Sequence, residues 1–184
     1  MVKEELERIF VTAVHEVFEK MYFAFLERRE MVDKTRRDYG ASISFSGPLS
    51  GEVAALFSRD LIDLMIDNSL GLDPTATAEQ VREDCLKECL NILGGAFLQH
   101  LDPERYYRLS LPARRAPEEI EGQTAADETA ITLAYDVEGR AYLEAIVRIR
   151  LIGEAAEGHQ VANLVIRLIL GLPIENRRIH RCRK

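Results

Sequence analysis

Leu6, Ile9, Phe10, Ala13, Val14, Val17, Phe18 and Met21 recur at spacings of three and four. That period predicts one long amphipathic helix from residue 3 to about residue 30, with His15 beside the apolar stripe. Residues 41–46 then alternate apolar and polar as a half-buried strand does, Gly47-Pro48-Leu49-Ser50-Gly51 breaks the pattern, and 52–57 resumes it. A β-hairpin is expected there. Ser58 is a good N-cap for a helix to about Leu70, stopped by Gly71 and Pro74. Thr77 and Gln80 read as a capping box opening another helix, which runs to about His100 with Pro103 just beyond.

Further on, 106–112 reads as a strand and 113–127 as a loop with strand character near Ile120. Two β-rich stretches, 129–136 and 141–151, flank Glu138-Gly139, a hairpin turn signal. A last helix over 157–170 ends at Gly171 and Pro173, and Arg177, Arg178, Arg181, Arg183 and Lys184 make a basic tail. The order of elements defines an α+β fold, a mixed β-sheet packed with two long helices and shorter ones. One domain over 1–172 and a tail over 173–184 account for the 184 residues.

Composition narrows the possible functions. A net charge of −7 leaves no large basic face for nucleic acid. No apolar run reaches the ~18 residues a membrane span needs, and the acidic, polar N-terminus is no signal peptide. The cytoplasm is the expected compartment. Three cysteines, Cys85, Cys89 and Cys182, form no complete disulfide set. Cys85 and Cys89 stand one helical turn apart, but nothing nearby completes a zinc site, so they read as buried thiols and no metal is expected on this chain.

The helix from Glu83 to Phe97 carries two surfaces. Leu86, Cys89, Leu93, Ala96 and Phe97 gather as a core stripe. Asp84, Glu88 and Asn91 fall opposite it, within an arc of about 60°. The next position on that polar face is Gly95, where a missing side chain lets another macromolecule approach. Polar residues opposite a core stripe are the ordinary solvated face of a helix. Two local choices argue for more: Asn is a poor mid-helix residue, and each glycine of the Gly94-Gly95 pair costs about 1 kcal/mol there. Locally unfavourable choices gather at functional sites.

Asp84-x3-Glu88-x2-Asn91 with a later proline, best matched by Pro112, resembles the signature of the CheC/CheX/FliY family of response-regulator phosphatases, closest to CheX. The element order over 1–172 is similar to CheX as well. Two-site members carry a second Glu-x2-Asn on the first helix. Here Glu16-Val17-Phe18-Glu19 lacks the Asn, so one site per chain is expected.

The resemblance implies a substrate: the phospho-aspartate of a CheY-like receiver domain, whose own acidic residues hold Mg²⁺. A phosphatase of this kind brings neither nucleophile nor metal, and the sequence shows no Ser/His/Asp or Cys/His constellation. By resemblance, the Asn91 carboxamide holds the attacking water, donating and accepting without adding charge. Glu88 pairs with the receiver's active-site Lys. Asp84 serves docking or helix positioning, or is simply an acid near a positive helix end. Gly95 leaves room for the receiver. The resemblance also implies a homodimer joined through the sheet, with the 129–136/141–151 hairpin supplying an edge, unless the helix over 157–170 covers it. The alternative function is a non-catalytic module on the same fold, binding a receiver or a flagellar-type partner.

Overall fold

The structure is a computed structural model and describes residues 2–121 and 128–150. Among the described residues a sheet of seven strands is backed on one face by three helices. The first helix, α1, is Val2–Met21, and β1 is Leu26–Arg29. β2 (Tyr39–Ser46) and β3 (Ser50–Phe57) form the first hairpin. Then come α2 (Arg59–Leu70) and α3 (Glu79–Leu101). The short β4 (Arg108–Leu109), β5 (Ala113–Arg115) and α4 (Pro117–Ile120) lead to the long hairpin β6 (Glu128–Val137) and β7 (Ala141–Arg150). The strand order is β1-β6-β7-β3-β2-β4, with β5 also on β2, and every described pairing is antiparallel.

Register sets the core. Ile43, Val53, Val147 and Ile131 form one row across four strands, and Tyr39, Phe57, Leu143 and Tyr135 form another. Side chains two apart share a face, so these rows and the Ala41–Ala55–Ala145–Leu133 row between them lie together under the helices. On the opposite face Ala54, Leu56 and Ile146 are covered by Ile120 of α4. β7 is therefore buried on both sides.

Several expectations hold. Ser58 caps α2, its Oγ accepting from the Leu61 N–H at 3.3 Å, and Gly71 ends that helix at φ 63°. Glu138 and Gly139 turn the second hairpin with φ of 50° and 68°, the paired positive values of a type I′ turn.

Other expectations give way. The first helix stops at Met21, nine residues short of its expected end near residue 30, because Phe23 takes a left-handed conformation and residues 26–29 pair with Val137–Ala134 of β6. The capping box does not form: α3 is capped by the backbone of Ala78, the Thr77 hydroxyl donates to the Asp73 carbonyl, and Gln80 reaches Asp84 instead. The strand expected over 106–112 shrinks to Arg108–Leu109, and the following loop holds β5 and α4. The second hairpin is interior rather than an edge on its β7 side, which pairs with β3. β1 covers β6 only along Ala134–Val137. The expected helix over 157–170 and the basic tail lie outside the described residues.

Candidate functional site

α3 crosses the helical face of the sheet and carries the polar row. Leu86, Cys89, Leu90, Leu93 and Phe97 are fully buried, and they fix the rotation of the helix. Asp84, Glu88 and Asn91 are thereby turned outward and exposed, with Gly95 part-exposed in line behind them. The three side chains and the glycine share one face, as their spacing of four, three and four requires. Along the axis, Glu88 and Asn91 are separated by about 4.5 Å of rise.

The row is differently committed at its two ends. Asp84 accepts a hydrogen bond from the Gln80 amide at 2.9 Å. Among the described residues, Glu88 and Asn91 make no side-chain hydrogen bond or ion pair, so a free carboxylate and a free carboxamide stand side by side. An Asn at mid-helix with no partner contributes nothing to the fold and costs helix propensity. The two glycines differ in the same sense. A Cβ on Gly94 would stand 3.1 Å from Ile43 Cγ2 and 3.4 Å from Leu109 Cδ2, so Gly94 permits close packing on the sheet. A Cβ on Gly95 would meet nothing within 4 Å.

Two elements flank the row. On one side Glu83 is ion-paired with Arg114 of β5, whose guanidinium lies over the Tyr39 ring at 5.9 Å from its centroid. Pro112 sits half-buried in the turn between β4 and β5. There the Ser110 N–H donates to the Ser44 carbonyl at 2.9 Å and the Ser44 N–H donates to Ser110 Oγ at 3.1 Å. It belongs to the sheet edge that supports α3. On the other side lies α1. Phe10 meets Phe97 edge to face at 5.5 Å, and Tyr22, at the far end of α1, directs its hydroxyl at the Cys89 thiol. The two helices therefore run in opposite directions.

Burial explains the cysteines. It pushes the Cys85 thiol up to about 11 and the Cys89 thiol further, so both are neutral at pH 7. Among the described residues no group of three His, Cys, Asp or Glu could hold a metal ion. His15 does not join the row: its ring packs edge-on against Tyr135 at 5.4 Å and pairs with Glu19 at 3.3 Å. A hollow of about 510 Å³ opens elsewhere, lined by Ser44, Glu52, Arg148 and Arg150, its two arginines already paired with Glu52 and Glu128. Among the described helices none is long and apolar enough to cross a membrane.

Sequence reasoning missed the turn beside the row. Met21, Phe23 and Phe25 are exposed there while Tyr22 and Ala24 are buried. That alternation belongs to an extended chain, but five apolar residues in succession conceal it.

The architecture is that of solved chemotaxis proteins. It is similar to CheX in the CheX–CheY–BeF3–Mg²⁺ complex from Borrelia burgdorferi, at 13% identity and a TM-score of 0.64 over 78% of this chain and 97% of that one. It is also similar to a CheC-like superfamily protein from Shewanella sp. PV-4, at 18% identity and TM-score 0.63 over 79% and 97%. The FliM middle domain from Vibrio alginolyticus shares the fold at 11% identity and TM-score 0.53 over 82% and 94%. No curated protein matches the sequence. These likenesses define a CheC/CheX-like α+β fold. The profile of the chemotaxis phosphatase CheX family matches residues 39–136, and the chain belongs to that family.

Proposed function

We propose that this protein dephosphorylates the phospho-aspartate of a CheY-like receiver domain, with Asn91 and Glu88 as the working side chains. Membership of a chemotaxis phosphatase family supports the activity. The observation that carries the residue assignment is the free Glu88–Asn91 pair on an exposed helix face. Asn91 extends its carboxamide into the receiver's site and holds a water in line with the scissile P–O bond. A neutral amide orients water by donating one hydrogen bond and accepting another, and it does not repel the phosphoryl oxygens. Placing the nucleophile is a recognised share of phosphoryl-transfer catalysis. Glu88, one turn earlier, meets the receiver's active-site Lys through a charge-assisted contact that sets register. Asp84, held by Gln80, extends the dock, and Gly95 lets the receiver's backbone come close.

In this scheme Mg²⁺ arrives with the receiver. The Borrelia complex contains CheX, CheY, BeF3 and Mg²⁺ together, which supports this reading. A second reading, a binding module without hydrolysis, has the FliM-like fold in its favour. The free Asn91 favours catalysis, because an adaptor gains nothing from an unpaired amide at mid-helix. The deciding experiment follows phosphate loss from phosphorylated CheY-like receivers of the same genome, with and without the protein and with Mg²⁺ present. Accelerated loss supports the phosphatase. Tight binding without acceleration supports the adaptor.

A further inference from the structure

The turn that ends α1 places a phenylalanine where helices usually place glycine, and it leaves the ring in water. Phe23 has φ 51° and is 65% exposed. A bulky residue in the left-handed region is strained, and Gly or Asn commonly holds the position after a helix. Gly71 does so at the end of α2, with φ 63°. The strain at Phe23 is imposed by its neighbours. The Ala24 N–H donates to the Phe18 carbonyl at 3.0 Å, the Asn68 amide donates to the Tyr22 carbonyl at 2.8 Å, and Tyr22 and Ala24 are buried on either side. Phe23 is thus held outward, and its ring adds nothing to the core. Strained conformations over-determined by their surroundings gather at binding surfaces.

Position gives the strain a use. α1 and α3 run in opposite directions, and Tyr22 lies against Cys89, the residue after Glu88. Tyr22 also interacts with Cys85 and Glu88, so Phe23, the next residue, lies on the α1 flank of α3 toward the Asp84–Glu88 half of the polar row, with Phe25, 70% exposed, following it. The row itself offers two carboxylates, an amide and a glycine. Exposed charge pairs contribute little affinity, whereas specific interfaces draw most of theirs from a few aromatic anchors ringed by polar contacts. A dock built on Glu88 needs such an anchor, and Phe23 is an exposed ring on the flank that Glu88 faces through Tyr22.

We infer that Phe23 is the apolar anchor of the receiver-docking surface, inserting between side chains of the CheY-like receiver while Glu88 fixes its register. This rests on the receiver reading given under Proposed function and assigns Phe23 to binding, not to chemistry.

The test compares wild type, Phe23→Gly and Phe23→Tyr on a CheY-like receiver of the same genome, loaded with beryllofluoride and Mg²⁺ for binding and phosphorylated for turnover. Glycine suits a left-handed turn, so Phe23→Gly should melt at or above the wild-type temperature. Its Kd and KM should nevertheless rise about tenfold or more, as for loss of an aromatic hot spot, with kcat at saturating receiver unchanged. Phe23→Tyr, which keeps a ring, should bind nearly as wild type. If wild type binds and turns over the receiver and Phe23→Gly does so equally well, the inference fails alone. A lower melting temperature for Phe23→Gly makes the ring structural and also overturns it. If wild type neither binds nor dephosphorylates any receiver, the receiver reading fails and this inference with it.

Discussion

Gly94 lets α3 lie directly on Ile43: a Cβ at that position would stand 3.1 Å from Ile43 Cγ2, while the adjacent Gly95 faces open space. Two neighbouring glycines thus have unrelated reasons to exist. Gly95→Ala should stabilise the protein by about 1 kcal/mol through helix propensity alone, a rise of roughly 2–4 °C in melting temperature for a chain of this size. Gly94→Ala should bring no such gain, because Ile43 and Leu109 must move. If Gly95 makes room for a receiver, Gly95→Ala should also weaken receiver binding while the protein grows more stable. Thermal melts and a binding isotherm on the same two variants check all three statements.

Arg82 is the fastener between α2 and α3. It is buried, its Nε donates to Asp63 at 2.8 Å, and its terminal nitrogens donate to the Thr77 and Pro74 carbonyls at 2.7 Å each. Arg82→Ala leaves three acceptors without their donor and should cost at least about 2 kcal/mol. Urea unfolding measures this directly. Because the lesion lies under the first turns of α3, turnover should fall in proportion to the fraction unfolded.

The buried thiols and phenols set an alkaline limit. Burial raises Cys85 from 9.0 to about 11 and Tyr107 from 10.0 to about 12. In each case the folded state holds its proton longer than the unfolded state. The sign follows: their contribution is complete below pH 9, falls as pH climbs from 9 to 11 through Cys85, and falls further between 10 and 12 through Tyr107. Stability curves from pH 7 to 11 should bend downward above 9. At pH 8, alkylation of Cys85 and Cys89 in the folded protein should be far slower than after unfolding in urea, read by mass spectrometry.

Residues 129–133 of β6 have no described strand on their outer side, since β1 reaches only Ala134–Val137. Among the described residues that edge is unpaired, an unpaired edge invites a second copy, and we propose a homodimer joined there, which leaves the row on α3 free for a receiver. Light scattering at micromolar concentration should give twice 20.9 kDa. A mass of one chain would contradict the sheet-joined pair.

The polar row on α3 was more legible in the sequence than the elements around it. Asp84, Glu88 and Asn91 fall on one face because the core stripe from Leu86 to Phe97 has an unambiguous helical period, and burial of that stripe leaves no other rotation for α3. α2 was legible because Ser58 and Gly71 act locally, through a hydroxyl and a missing Cβ. The end of α1 was not. Tyr22 to Leu26 continue an apolar run that serves a helix or a strand equally, and no glycine marks the turn at Phe23. β5 and α4 were unreadable for a different reason: each is only three or four residues long and is held by β2 and β3 across the fold, not by its own propensity. Thr77 and Gln80 matched a capping box in spacing, but the turn at Asp73 claimed the threonine hydroxyl first.

Glu88→Ala should separate register from chemistry only in part. Loss of its proposed charge contact should raise the receiver's Kd several-fold and lower turnover as well, because a misplaced receiver misplaces the water. Glu88→Gln, which keeps the shape, should bind better than Glu88→Ala yet less tightly than wild type. The same effect should shrink as salt is raised, since an exposed charge pair is screened.

The central claim is that Asn91 positions the attacking water, and Asn91→Ala tests it most directly. Its exposed side chain carries no described partner, so the substitution should change stability by less than about 0.5 kcal/mol. Receiver binding should stay within about twofold of wild type, because the proposed docking contacts lie at other residues. Dephosphorylation, followed as timed phosphate loss with Mg²⁺ and saturating receiver, should fall to the receiver's own unaided rate. Wild-type turnover by a folded, receiver-binding Asn91→Ala protein would contradict the account.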